Sequence, residues 1–248
     1  MTKPILSLDR VQKNFGGLMA VDDLTMNILP GQICGLIGPN GAGKTTVFNL
    51  ITGVHRAVHG SIRLGGEEIT FTKPYQITRL GIARTFQTIR LFPNLSTMEH
   101  VLVAQNCPAQ HRPQDRDASQ QTPQDEVRGL LRLFGLWEVR NQKAVTLPYG
   151  SQRKVEMARA LSTRPRLLLL DEPVAGMNHR ESEELLAIIS KIRELGITVL
   201  VIDHDMKFVM GLCDYLFVLD FGRKIAEGTP EEIRRDECVL EAYLGKEE

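Results

Sequence analysis

A chain of 248 residues with 42% apolar side chains can bury a full core as one large domain, or a domain with a subdomain, and needs no small-scaffold staples. Thirty Lys and Arg balance thirty Asp and Glu, which gives no electrostatic footprint for nucleic acid. Cys34, Cys107, Cys213 and Cys238 are too scattered for a zinc site or a disulfide framework and read as reduced thiols, while no apolar run approaches a membrane span and MTKPILSLDR lacks a signal core, so neither spanning nor export by that route is expected.

Residues 5–8, 11–15 and the alternating set Leu24, Met26 and Ile28 predict short antiparallel strands. Pro30-Gly31 turns the chain into the wholly apolar strand Ile33–Ile37, and residues 47–51 read as a helix. Between strand and helix lies GPNGAGKTT: Gly38, Pro39, Asn40, Gly41, Ala42, Gly43, Lys44, Thr45 and Thr46. The spacing G-x-x-x-x-G-K-S/T at such a bend is a phosphate cradle. Its glycines let backbone N–H groups turn inward, the helix start presents its positive end, and Lys44 adds a mobile charge. Thr45 is placed to ligate Mg²⁺, so the expected ligand is a nucleoside triphosphate with that ion.

Gly65-Gly66, between residues 61–64 and 67–69, signals a hairpin; Pro74 and Gly81 bracket a short helix, and residues 82–86 predict a strand ending at Gln87. Ser96-Thr97-Met98-Glu99 is a capping box for a helix through Gln105. Residues 107–125, rich in Gln, Pro, Asp and Arg, read as an exposed, mobile insertion with no fold of its own. Val127, Leu130, Leu131 and Phe134 have helical spacing with Gly135 as the stop, and a second helix is expected over 151–162.

Two apolar strands follow, 166–170 reaching Asp171-Glu172 and 196–202 reaching Asp203-His204, separated by a helix over 180–194. Strands apolar on both faces that alternate with helices predict a mainly parallel sheet covered on both sides. A hairpin over 215–219 and 224–226 precedes Thr229-Pro230-Glu231-Glu232, which starts a terminal helix. Beside a phosphate loop, the strand-end pair divides the labour: Asp171 holds Mg²⁺ and Glu172 activates the attacking water. His55 and His59 lack a third ligand and read as an exposed connection, and Trp137 and Tyr243 as packing.

The 38–46 loop, Gln87, LPYGSQ at 147–152, Asp171-Glu172 and His204, in that order, resemble the motifs of ABC-type transport ATPase subunits and cover nearly the whole chain. The runs NFGGLMAVDDL, GPNGAGKTTVFNLITG, ARTFQTIRLF, LPYGSQRKVEMARAL, HDMKFVMGLCD and AYLG are similar to the ATPase subunits of branched-chain amino acid importers. The resemblance implies an α/β P-loop NTPase core with a mainly parallel sheet, an antiparallel β subdomain and a helical subdomain. Within a single domain over 1–248 it assigns 1–86 and 164–228 to the nucleotide-binding core with its β layer. It assigns 87–163 to the helical subdomain with the insertion, and 229–248 to C-terminal helices.

It further implies ATP and Mg²⁺ as cofactors and ATP hydrolysis coupled to transport, at the cytoplasmic face of the plasma membrane as a peripheral subunit. The implied partners are membrane permease subunits, a second ATPase subunit, identical or related, and indirectly a periplasmic solute-binding protein; no nucleic acid is implied. Another cargo, such as urea or lipid, and a regulatory or non-transport ABC ATPase are the alternatives. By position, Phe15 matches the aromatic that stacks on adenine and Val21 the residue touching ribose and base. Gln87 matches the link between Mg²⁺, attacking water and the membrane-facing surface, and His204 the contact to the γ-phosphate. Tyr149, Gly150 and Ser151 match the loop that closes over ATP held by the opposite protomer. That loop departs from the family pattern LSGGQ at Pro148, Tyr149 and Ser151, and Asn178-His179 stands where aspartate and proline are common.

Overall fold

A computed structural model describes residues 2–107 and 122–244. The chain opens with β1 (Leu6–Phe15) antiparallel to β2 (Leu18–Ile28), passes through β3 (Ile33–Ile37) and α1 (Lys44–Ile51), and returns beside β1 with β4 (His59–Leu64) and β5 (Glu67–Glu68). These outer strands form a four-stranded antiparallel sheet in the order β2-β1-β4-β5. The segments expected as separate strands at 5–8 and 11–15 are one strand, bulged near Arg10 (φ 48). A second bulge lies on β2: Val11 faces Leu24 but Lys13 faces Val21, and Asp23 takes a φ of 52 between them. An extra residue reverses the inward and outward alternation, so Val21 joins Leu24, Met26 and Ile28 in the core.

The remaining elements are α2 (Pro74–Arg79), β6 (Ile82–Arg84), α3 (Thr97–Gln105), α4 (Pro123–Leu133), α5 (Tyr149–Ser162), β7 (Leu167–Asp171) and α6 (His179–Glu194). Then come β8 (Thr198–Ile202), α7 (Met206–Leu212), β9 (Tyr215–Asp220), β10 (Arg223–Gly228), α8 (Pro230–Ile233) and α9 (Glu237–Leu244). A six-stranded sheet runs β10-β9-β3-β8-β7-β6, parallel throughout except for the antiparallel edge strand β10. Every residue of β3, β7 and β8 is buried, which explains their unbroken apolar runs. One face of the sheet, with Ile37, Leu168, Leu170, Val199 and Val201, packs on the helical side with Phe134, Val155 and Ile189. The other, with Leu36, Leu167, Leu169, Leu200 and Ile202, packs on Phe48 and the antiparallel sheet. Because β3, β7 and β8 run in parallel, the residues that follow them emerge at one end of the sheet.

Local signals set most boundaries. Ser96 and Glu99 bond reciprocally at the start of α3, and Thr229 and Glu232 do so at α8. Thr122 and Asp125 form the same box with Pro123 at the first turn of α4, so residues 122–125 belong to a helix rather than to the expected insertion. The rest of that insertion, 108–121, lies outside the described residues. β6 stops at Arg84, short of the predicted end, and α5 begins at Tyr149, two residues earlier than predicted. No helix among the described residues is long and apolar enough to cross a membrane.

Candidate functional site

The 38–46 loop is held in shape from behind. Gly38 has a φ of 145, and a Cβ there would stand 2.0 Å from the carbonyl oxygen of Leu219; Gly43 has a φ of 102, and its Cβ would stand 2.3 Å from that of Ala20. Both positions therefore admit only glycine. Gly222 N–H donates to Ala42 O at 3.0 Å, and Asp22 N–H to Gly222 O at 2.8 Å, so the β9–β10 turn and β2 buttress the loop. Ala42 is buried with it, Asn40, Gly41 and Thr45 are exposed, and Pro39 and Thr46 half-buried.

Among the described residues, the N–H groups of Gly43, Lys44, Thr45 and Thr46 have no backbone acceptor, and they open the eight-residue helix α1. Lys44 Nζ lies across the loop, donating to Gly38 O at 2.6 Å and Pro39 O at 2.8 Å. Burial holds its ammonium below the usual lysine range, and the Glu172 carboxylate pulls the other way. A cation beside unpaired helix N–H groups is suited to an anion.

Glu172 follows β7 with a φ of 47, in the left-handed region that residues other than glycine seldom occupy. Its N–H donates to Ile202 O at 2.8 Å, which pins the turn to β8. Gln87 Nε2 donates to Glu172 Oε2 at 3.0 Å, and His204 Nδ1 stands 3.9 Å from the same oxygen. Three residues separated by 85 and 32 positions thus meet at one carboxylate. Asp203 is buried beneath them and accepts from the N–H groups of Asp205 (2.9 Å) and Val174 (3.4 Å). Burial pushes its carboxyl up and those N–H groups draw it back.

A family model described as ABC transporter matches residues 21–175, from β2 through Glu172, and a second, for the branched-chain amino acid ATP-binding cassette transporter, matches 223–248. The chain belongs to the ABC transporter family. The ATP-binding protein BraF of high-affinity branched-chain amino acid transport in Pseudomonas aeruginosa is 43% identical over 99% of this chain and 100% of its own length. LivG of Escherichia coli, of the same description, is 42% identical with the same coverage. The solved ADP conformation of an ATP-binding cassette, MJ1267, superimposes with a TM-score of 0.86 at 30% identity, over 99% of this chain and 100% of that one. The α/β cassette fold and ATPase activity follow from that membership.

In this ABC ATPase, Asp171 is buried and its Oδ2 is bonded by Arg84 Nη2 at 2.7 Å. Arg84 also donates to Asn49 Oδ1 at 2.7 Å and lies 5.4 and 5.1 Å from the ring centroids of Phe48 and Phe86. Neither this arginine nor Arg153, whose guanidinium bonds the backbone of Gln87, carries a signal in the sequence beyond its position near a motif. Phe15, the last residue of β1, is 44% exposed, with Lys13 Nζ 5.0 Å from its ring centroid and His55 edge-on at 5.1 Å. Val21 is wholly buried, turned inward by the bulge at Asp23.

Tyr149, Gly150 and Ser151 form the first turn of α5, with Pro148 as its N-cap. Gly150 is buried against Glu181, whose carboxylate oxygen an added Cβ would meet at 2.7 Å. Asn178 caps α6 by accepting from Glu181 N–H at 3.0 Å, so the residue standing where aspartate is common does a cap's work. No hydrogen bond or ion pair among the described residues joins Tyr149, Gly150 or Ser151 to the 38–46 loop. The structure brings Gln87, Glu172 and His204 together, and leaves the first turn of α5 apart from the phosphate loop of its own chain.

Proposed function

We propose that this chain is the ATP-hydrolysing subunit of an importer for branched-chain amino acids, bound to permease subunits at the cytoplasmic face of the membrane. The convergence of Gln87 and His204 on Glu172 is the observation that carries the hydrolytic reading. Full-length likeness to two amino acid transport proteins supports the cargo. Lys44 and the N–H groups at the start of α1 bind phosphate, and Phe15 takes the base. Glu172 is the general base that removes a proton from the attacking water; Gln87 orients its carboxylate, and His204 faces the γ-phosphate side.

Thr45 and Asp171 offer hydroxyl and carboxylate oxygens, the hard donors that suit Mg²⁺, and Asp171 keeps its geometry through Arg84. When bound, Mg²⁺ neutralises phosphate charge. The first turn of α5, with Tyr149, Gly150 and Ser151, docks on a second ATPase subunit and completes its site. Beside Gln87, a cleft of about 520 Å³ lined by Arg90, Phe92, Val103 and Arg159 is the surface for a permease helix, and a solute-binding protein acts from the other side of the membrane.

The test is Glu172→Gln, assayed for nucleotide binding and turnover in the full chain, followed by ATP-driven uptake of radiolabelled leucine in vesicles holding the assembled transporter. Retained binding with turnover lost supports the base assignment, and turnover equal to wild type removes it. Uptake that ignores leucine, isoleucine and valine rejects the cargo while leaving the ATPase reading in place.

A further inference from the structure

Among the described residues, Arg153 is the largest side chain with no solvent exposure. A guanidinium taken wholly out of water needs a paired charge and partners for most of its donors. Its ionic partner is Glu156, one turn along α5, at 3.1 Å. That pair by itself would tie the helix only to itself. The two terminal nitrogens also reach beyond the helix: Nη1 donates to Phe86 O at 2.5 Å, and Nη2 to Gln87 O at 2.7 Å and to the Tyr149 hydroxyl at 3.2 Å, while the buried Nε has no partner among the described residues. Glu156 Oε1 receives Phe86 N–H at 3.4 Å, and Arg159, farther along the same face, donates to Arg90 O at 2.7 Å. The stretch after β6 is therefore fastened by one face of α5 at three carbonyls.

Two further contacts give this fastening a direction. The Gln87 side chain runs from the clamped backbone to Glu172 Oε2. Tyr149, at the outer end of the same helix, lays its ring on Gly176, four residues beyond Glu172, where an added Cβ would stand 3.1 Å from the ring. We infer that Arg153 is a positioning residue: it holds Gln87 against Glu172 and makes that contact depend on where the Tyr149 end of α5 sits. The planar fork suits two adjacent carbonyls, a geometry that a lysine ammonium cannot reproduce. A ligand or partner that displaces Tyr149 moves the Gln87 carbonyl with it, and the amide is withdrawn from the carboxylate. The inference rests on the reading of Gln87 and Glu172 as parts of the hydrolytic site.

A double-mutant cycle on the full chain tests it, with Arg153→Lys, Gln87→Ala and the double variant assayed for kcat, for KM and for nucleotide affinity in the absence of turnover. The expected result is a loss of about 10-fold in kcat for Arg153→Lys in the natural background and under about 2-fold in the Gln87→Ala background, with nucleotide affinity unchanged in both. Equal fold-losses in the two backgrounds, or a matching loss of affinity, overturn it and leave Arg153 a general folding residue. If Arg153→Lys does not fold, Glu156→Gln, which keeps the volume and the acceptor for Phe86 N–H, enters the same cycle with the same expectations. A Gln87→Ala chain with full turnover removes the hydrolytic role of Gln87 itself, a failure of the underlying reading that the single variant reports on its own.

Discussion

Arg84 and Asp171 form a buried ion pair, Nη2 to Oδ2 at 2.7 Å, that joins the end of β6 to the end of β7, and Arg84 reaches on to Asn49 in α1. Removing the arginine strands a carboxylate in the core. Arg84→Met is expected to cost about 3–5 kcal/mol of unfolding free energy, whereas Arg84→Met with Asp171→Leu, which removes both charges, costs less than Arg84→Met alone. Urea titrations of the two variants check this; equal losses would assign the cost to packing on Phe48 and Phe86.

Gly43→Ala tests the buttress behind the phosphate loop. Its φ of 102 and the 2.3 Å approach to Ala20 O leave no room for a methyl group. Strain of this kind costs about 1–3 kcal/mol before the clash is relieved. The expected outcome is a lower thermal midpoint together with lost nucleotide affinity. Gly41→Ala, where nothing lies within 4 Å of the added Cβ but φ is 83, is expected to bear the backbone strain without the clash.

Phe15→Ala is expected to weaken ATP binding by roughly 2–13-fold, the equivalent of an aromatic stacking energy of about 0.5–1.5 kcal/mol. Phe15→Trp keeps a stacking face and should stay near wild type. Titration with a fluorescent adenine nucleotide reads both; unchanged affinity for Phe15→Ala moves the base elsewhere.

A pH effect is expected at His100, which is fully buried with Nδ1 at 2.8 Å from Ser96 O and Nε2 accepting from Phe92 N–H at 2.8 Å. Burial pulls its pKa below the usual histidine value; the Ser96 carbonyl pulls it up, Arg159 down and Glu99 up. The folded state therefore binds this proton less readily than the unfolded state, whose histidine titrates near about 6.5. Stability from neutral His100 is present in full above that pH and is lost as pH falls from it through the lower folded-state value. Protonation would also set a second N–H against that of Phe92. Thermal midpoints measured from pH 7.5 to 5 should fall more steeply for the natural chain than for His100→Phe; parallel curves would remove the effect.

The phosphate loop, the strand-end carboxylates and the capping boxes at Ser96 and Thr229 were legible because each is a contiguous pattern with a local physical cause. Thr122-Pro123-Gln124-Asp125 carries the same cap signal, but the polar run before it concealed the start of α4. The burial of Val21 was not legible for a different reason: the alternation of Leu24, Met26 and Ile28 continued by twos leaves it out of the inward set, and only the extra residue at Asp23 brings it in. Arg84 and Arg153 were invisible as structural residues, since an arginine in a sequence does not reveal which distant carboxylate and carbonyls will enclose it. Gln87 drew its meaning from resemblance, and its 3.0 Å bond to Glu172 supplies the physical content.

The backing of the phosphate loop by Leu219 and Gly222 has a consequence for the order in which this protein matures. Chains emerge from the ribosome N-terminus first. The nucleotide motif is made within the first fifth of synthesis, and every motif residue through His204 precedes the hairpin that seats it. β3 itself waits for both neighbours, β8 and β9, before it is enclosed. A nascent chain therefore carries the phosphate-binding sequence before the turn that backs it has been made. The loop gains its backing only when a turn more than 170 residues downstream packs behind it.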